Sequence, residues 1–414
     1  MDNKNIAWLQ KTLGPGLIFA SMAIGVSHLV QSTRAGANYG FGLLIFVILA
    51  NLLKYPFFEF TSRYANSTGT SIIEGYKELG KPVLWIYFIV TLVSMFFISS
   101  AVGAVTTGFL QNLFNTSKYG FWNHFFILVI CTSILAFGKY NLFDKVIKVI
   151  ALSLLLSTIC AFFLVILKGP QNEILFPQIE YNKTDIFFII ALMGWMPTAV
   201  DLSSWNSLWT LERIKQTGFK PSLKQTLFEF NMGYIISAAL AVCFLTLGSY
   251  LMYGTGTSFS NNSSIFANQV IKLYTDSIGN WSYWVISISG FSIMFGTCIA
   301  VFDGYARSVS ECIRLVDQNK KNNRLYYDII IWILATGTFG IIYLFGSRLK
   351  ELVDLATTIS FIIAPFVAIA NYKLVSNLYL KPNDIPPDWL KYLAITGIVF
   401  LSGFSILFLY VRII

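Results

Sequence analysis

Two long apolar segments of this chain are interrupted by polar residues at the depth where a membrane-spanning helix is normally continuous. The first covers residues 14–35 and is interrupted at 25–28, and the second covers 185–211 and is interrupted at 195–201. Within a bilayer, unwound backbone is tolerated only where protein or a cavity satisfies its N–H and C=O groups. Paired breaks in corresponding positions of two halves point to a binding site, so we expect the two interruptions to lie together at one.

The remainder of the chain predicts a membrane protein with many spans. Hydrophobic residues make up 56% of the sequence and charged residues 12%, about half the charged fraction of a soluble domain. Nine further apolar segments approach the roughly 20 residues that a span needs: 43–60, 83–110, 121–137, 146–167, 227–251, 281–301, 326–345, 355–369 and 390–411. We therefore expect an all-α polytopic membrane protein with about eleven spans, in which residues 1–414 form one transmembrane domain.

The predicted spans divide into two units of five and one extra helix. The first unit covers residues 13–167, the second covers 185–371, and the extra helix covers 390–411. Because five is odd, the second unit is inverted relative to the first, as in many secondary transporters.

Basic residues predict how the chain is oriented. Most of the 29 Lys and Arg residues fall in the loops on the side of the N-terminus, and such loops face the cytoplasm. We expect an integral protein of the cell membrane (plasma or inner membrane), with the N-terminus cytoplasmic and the C-terminus outside. The net charge of +9 is then explained by contact with anionic lipids, and no nucleic-acid partner is expected.

Sequence motifs of enzymes are missing from the chain. It has no G-x-S-x-G elbow, no H-E-x-x-H and no phosphate-binding P-loop, so we expect neither an enzyme nor an ATP-driven pump. The five cysteines stand singly, without a metal-binding spacing, and are typical of small buried side chains. No cofactor is expected, and transport would depend on an ion gradient or on passive flow.

Short motifs in a fixed order resemble those of the Nramp metal-ion transporters. The matching residues are Gly14-Pro15-Gly16, the run Ala-Gly-Ala-Asn-Tyr-Gly at 35–40, Ala50-Asn51-Leu52, Thr68-Gly69, Met196-Pro197 and Pro365-Phe366. The resemblance covers the first ten spans. It implies a LeuT-type fold, here a 5+5 inverted repeat with an eleventh transmembrane helix, and alternating access for a divalent metal cation.

The chain departs from that family at its metal-binding motif. The family has Asp-Pro-Gly-Asn at the first break, and an ungapped count from the motif at 35–40 places the Asp on Gly25 and the Asn on His28. In the second break the family's Met-Pro-His becomes Met196-Pro197-Thr198. The resemblance therefore implies that the metal-binding Met is kept while the Asp, and a His linked to proton movement, are lost.

The residues at the breaks allow two kinds of cargo. His28 and Met196 would suit a soft or borderline metal ion, with Gly25 offering a backbone carbonyl. Alternatively, Ser27 and Thr198, with Asp201 close by, could contact a small organic solute. Half-helix N-termini at the midplane favour an anionic group on such a solute.

Each ionisable residue at the breaks also has a plain structural interpretation. His28 could bind metal or carry a proton, or it could be a hydrogen-bonded packing residue. Asp201 could restore the lost negative charge, or it could cap a half-helix.

Three further charged residues could belong to a proton or ion pathway that includes His28. Asp303 could line such a pathway or simply pair with Arg307 one turn later. Glu229 could act in gating or form interior hydrogen bonds, and Lys54 lies within a span, where a charge is costly.

Overall fold

The fold was analysed in a computed structural model that describes residues 15–137, 140–317, 323–376 and 378–413, and every long element in these ranges is an α-helix. The first half contains α1 (Pro15–Ala23), α2 (Thr33–Tyr39), α3 (Leu44–Thr68), α4 (Ile72–Leu79), α5 (Lys81–Phe114), α6 (Trp122–Ala136) and α7 (Tyr140–Lys168). The second half contains α8 (Lys183–Gly194), α9 (Ser203–Thr217), α10 (Leu223–Leu251), α11 (Ser263–Ile278), α12 (Tyr283–Val316), α13 (Asn323–Phe345), α14 (Leu349–Leu374) and α15 (Asp388–Ile413). The all-α prediction is confirmed.

The predicted spans are present as helices. Seven of the described helices are long and apolar enough to cross a membrane, namely α3, α5, α10, α12, α13, α14 and α15. Helix α6 and the Leu152–Lys168 part of α7 are shorter apolar helices, and the two interrupted helices α1–α2 and α8–α9 complete the eleven predicted spans. The boundary between the two five-span units stays a prediction. Its first residues, 13 and 14, lie outside the described residues, as do basic loop positions 4, 11, 139, 320 and 321.

Two helices were missed by the sequence prediction. The segment 258–268, which lies between the predicted spans 227–251 and 281–301, contains the start of α11, which Asn262 caps by accepting the N–H groups of two residues that follow. The core face of α11 includes Phe266, Val270 and Tyr274, a spacing of four residues that could have revealed it. The eight-residue helix α4 follows the Thr68-Gly69 motif. Neither helix is long enough to span, so a search for apolar runs does not detect them.

The interrupted first span is bound tightly to α10. A methyl group added at Gly36 of α2 would lie 2.0 Å from the Leu245 carbonyl oxygen, and one added at Gly248 would lie 2.3 Å from the Thr33 carbonyl oxygen. The two backbones approach this closely only because both positions lack a side chain. The second interrupted span packs mainly on α14 through α8 and on α3 through α9, so α3, α10 and α14 surround both breaks.

Candidate functional site

The first break has the position that the sequence predicts. Helix α1 stops just before Ile24 and Gly25, and a π-helical turn (Ser27–Ser32) then leads into α2. The Gly25 carbonyl accepts the N–H groups of His28 at 3.2 Å and Leu29 at 3.0 Å. The backbone at the break is therefore largely satisfied by its own turn, and the chain is locally widened rather than fully extended.

Gly25 has no room for a side chain. A methyl group added there would lie 2.7 Å from Thr297 Cγ2 and 3.0 Å from Thr297 Oγ1 on α12. The position at which the resembled family has its metal-binding Asp is thus filled, in this protein, by a threonine from a neighbouring helix. Gly25 can offer a ligand only through its backbone.

His28 and Ser27 are buried side chains with protein partners. His28 is 0% exposed; its Nδ1 lies 2.7 Å from Ser27 Oγ, and its Nε2 lies 2.8 Å from the Ser237 carbonyl oxygen on α10. Ser27 Oγ also donates to the Ala23 carbonyl. Because both ring nitrogens have hydrogen-bond partners, His28 could bind a metal only by giving up one of them.

The second break is wider than the first. Helix α8 ends at Gly194, and residues 195–199 run without helical hydrogen bonding to a short 3-10 turn (Val200–Leu202) that precedes α9. Pro197 removes one N–H donor from this stretch. Met196 and Thr198, the two predicted site residues here, are buried.

Lys54 reaches the second break from α3. Its ammonium donates to three main-chain carbonyls, those of Met193, Gly194 (2.9 Å) and Thr198 (3.2 Å), and the side chain is 0% exposed. The helix stops at this point, and the Met193 carbonyl also accepts the Met196 N–H at 3.4 Å. The structure therefore brings Lys54 together with Thr198, an association that the sequence did not predict.

Asp201 lies in the 3-10 turn and does not cap a helix. Neither that turn nor α9 has a side-chain N-cap hydrogen bond. One carboxylate oxygen lies 3.5 Å from Ser94 Oγ of α5, and the other has no hydrogen-bond partner among the described residues. The negative charge of Asp201 acts on the ammonium of Lys54, so it serves as the counter-charge at the second break.

The remaining residues of the predicted pathway have structural roles. Asp303 accepts hydrogen bonds from Arg307 at 2.8 and 2.9 Å and from the Tyr327 hydroxyl at 2.6 Å. Both oxygens of Glu229 accept the Gly16 N–H, at 2.8 and 2.9 Å, which caps the start of α1. Within the described ranges, no hydrogen bond links Asp303, Glu229, Lys54 and His28 to one another, so a continuous pathway through them stays a prediction.

A salt bridge next to the first break was not predicted. Arg34 of α2 donates to both carboxylate oxygens of Asp354 on α14, at 2.7 and 2.9 Å, and Gln31 donates to the same carboxylate at 3.0 Å. Gln31 also reaches Thr357, one turn deeper on α14. In sequence these partners are more than 300 residues apart, and no local pattern connects them.

A cavity opens at the opposite end of the bundle. Arg307 lies near the end of α12 and Asp354 lies near the start of α14. Because the spanning helix α13 connects these two ends, Arg307 and Asp354 lie at opposite ends of the helix bundle. We call these the Arg307 side and the Arg34 side. The cavity on the Arg307 side has a volume of about 650 Å³ and is lined by charged residues that include Glu212, Arg307 and Arg314. On the Arg34 side, the Arg34–Asp354 ion pair lines a smaller cavity of about 230 Å³.

Comparisons with known proteins agree with this architecture. The chain matches the family model described as natural resistance-associated macrophage protein-like over residues 16–411. An uncharacterized protein of Pasteurella multocida (strain Pm70) is 33% identical over 401 residues, covering 96% of this chain and 91% of the relative.

Solved structures with the same fold differ in what they carry. A mutant of the manganese transporter of Eremococcus coleocola has a TM-score of 0.69 at 13% identity, covering 98% of this chain and 88% of that one. MhsT in complex with L-phenylalanine has a TM-score of 0.63 at 13% identity, covering 96% and 98%. At these identities the likeness shows the fold alone, and the predicted LeuT-type fold is confirmed.

Proposed function

This chain belongs to the natural resistance-associated macrophage protein-like (Nramp) family of metal-ion transporters, and from that membership we propose that it moves a divalent metal cation across a membrane by alternating access. The observation that carries the proposal is the pair of broken helices, with an ion pair and a small cavity on the Arg34 side and a larger cavity on the Arg307 side. Site access from one side at a time is what alternating access requires.

Met196 is the ligand on which the metal proposal depends. It is fully buried in the second break, and the family resemblance places the metal-binding Met at this position. A thioether suits soft or borderline metals. At the first break, the Gly25 carbonyl would join only after releasing the N–H groups of His28 and Leu29, and His28 only after releasing Ser237.

Orientation and coupling are further parts of the proposal. We place the Arg34 side outside and the Arg307 side in the cytoplasm of a cell membrane, because the basic loops gather on the Arg307 side. The energy source would be an ion gradient, and protons are the first candidate.

Met196→Ala is expected to lower the initial rate of saturable Mn²⁺ uptake into proteoliposomes at least about tenfold, which is about 1.4 kcal/mol of binding free energy. Uptake is measured with and without an inward proton gradient, which tests coupling in the same vesicles. His28→Ala is compared in parallel. Met294→Ala is the matched control, because Met294 is an equally buried methionine of α12 outside the breaks. Equal loss in both methionine variants would contradict the assignment of Met196 as a ligand.

A small organic solute with an anionic group is the second candidate cargo. The specific observation in its favour is the makeup of the site: Gly25 brings no carboxylate, and no group of three His, Cys, Asp or Glu side chains suited to a metal occurs among the described residues. Ser27, Thr198 and Asp201 would then be its nearest polar side chains. The same fold in MhsT holds L-phenylalanine. Absence of saturable Mn²⁺ uptake by the wild-type protein, together with competition among organic acids in a radiolabel screen, would favour this cargo.

Asp354→Asn is expected to open the Arg34 side. It removes the charge that holds Arg34, and hydrogen bonds to charged groups contribute about 1.5–3 kcal/mol, enough for roughly a tenfold change in population. Access is measured by maleimide labelling of Thr357→Cys, one turn below the ion pair, after replacement of the five native cysteines. Labelling should accelerate several-fold.

The control for this gate is a neighbouring carboxylate. Glu351→Gln removes an exposed acid of the same helix, whose partner is Arg348 at 3.5 Å, and it should leave the labelling rate unchanged. If both variants change the rate equally, then surface charge, and not the Arg34–Asp354 pair, controls access.

A further inference from the structure

The ammonium of Lys54 has the surroundings of a bound cation. Three main-chain carbonyls, from Met193, Gly194 and Thr198, accept its hydrogen bonds. An ammonium has three N–H donors, so these carbonyls saturate it. The side chain enters from α3 and is fully buried, which leaves none of its charge to water.

The end of α8 is a site that attracts positive charge. The last carbonyls of a helix carry the negative end of its dipole, and in transporters of broken-helix design such carbonyls coordinate small cations. Asp201 adds a full negative charge that acts on the same ammonium. Without Lys54, three buried carbonyls would lose its hydrogen bonds and the buried Asp201 would lose its positive neighbour, which is costly.

We propose that Lys54 is a built-in cation that occupies the cation-binding position at the second break and thereby decides which ions can bind there. The amine is covalently attached to α3, so it occupies the carbonyl ligands of the second break and prevents a diffusible cation from binding to them. Lys54 is in this sense a specificity-determining residue. The inference holds for either cargo, because it concerns the occupant of the carbonyls and not the solute that is moved.

One consequence is that a transported cation has fewer ligands available at the second break. Any transported cation is left with Met196 and the backbone of the first break, since the carbonyls of Met193, Gly194 and Thr198 are already in use. The positive charge of Lys54 also opposes a second cation nearby. Removal of Lys54 should therefore create a cation site that the natural protein does not have.

Lys54→Ala tests the proposal through thermal stability of the purified protein in detergent, a measurement that requires no transport. We expect its Tm to fall in choline chloride, because choline is too large for the vacated position, and to recover by several degrees as Na⁺, K⁺ or methylammonium replaces choline at constant ionic strength. A ligand present at 100 times its Kd stabilises by about 2.7 kcal/mol. The wild-type protein should show no such dependence on the cation.

Two further variants keep the test decisive. Lys54→Gln keeps an uncharged hydrogen-bond donor at this position. This variant should therefore fold where Lys54→Ala does not, and it should show the same cation-dependent recovery of Tm. Lys350→Ala is the matched control: this lysine also donates to a carbonyl, that of Phe259 at 2.9 Å, but far from the break. Cation-dependent recovery confined to the Lys54 variants supports the proposal. Equal responses in wild type and both Lys54 variants, or Lys54 variants as stable as wild type in choline, overturn it.

Discussion

Gly36→Ala is expected to destabilise the protein severely and to abolish transport. The new methyl carbon would lie 2.0 Å from the Leu245 carbonyl oxygen and 2.8 Å from the Ser249 nitrogen, both main-chain atoms of α10. No side chain can move aside to relieve these contacts, so α2 has to separate from α10. Overpacking typically costs about 1–3 kcal/mol, and a clash with backbone belongs at the upper end. Separation of α2 would also displace Arg34 from Asp354.

Gly403→Ala is the matched control for this prediction. Gly403 is a helical glycine of α15, and a methyl group added there meets nothing within 4 Å. Replacement of an exposed helical glycine by alanine should stabilise by about 0.5–1 kcal/mol. The measurement is the Tm of both variants in the same detergent, together with uptake. A Gly36→Ala protein with the Tm and uptake of Gly403→Ala would contradict the close packing of α2 against α10.

Local patterns were sufficient to predict the long apolar helices and the two breaks. Apolar runs of span length identify α3, α5, α10, α12, α13, α14 and α15, because each run is contiguous in sequence. Polar residues within such a run identify a break in the same way. The helices extend beyond the apolar runs, as at Leu44–Thr68, since a helix continues through polar residues once it leaves the hydrocarbon.

Long-range partners could not be predicted from the sequence. Lys54 binds carbonyls about 140 positions away, and His28 binds Ser237, which is 209 positions away. Backbone carbonyls carry no signature in a sequence, so nothing indicated that Lys54 would end at the second break. The roles of His28, Met196, Thr198 and Asp201 in binding cargo stay predictions, and the uptake measurements above test them.

Gly25→Asp combined with Thr297→Ala is expected to give the protein a much tighter metal site. The resemblance places the family's metal-binding Asp at Gly25, and Thr297 occupies the space that its side chain needs. The double variant supplies the carboxylate and removes the two atoms that block it. A new charged ligand at the first break should tighten Mn²⁺ binding about a hundredfold, equivalent to about 2.8 kcal/mol.

The single variants separate the contribution of space from that of charge. Gly25→Asp alone should lower the Tm and gain little affinity, because its Cβ would lie 2.7 Å from Thr297 Cγ2. Thr297→Ala alone should leave Mn²⁺ binding unchanged, since it adds no ligand. Binding is measured by calorimetry on purified protein, with the Tm as a check on folding. If Gly25→Asp alone binds Mn²⁺ as tightly as the double variant, the break is flexible enough to make room, and Thr297 is not what distinguishes this chain from the metal-binding members of its family. If instead only the double variant gains affinity, Gly25 and Thr297 together account for a metal site weaker than one that carries the family's Asp.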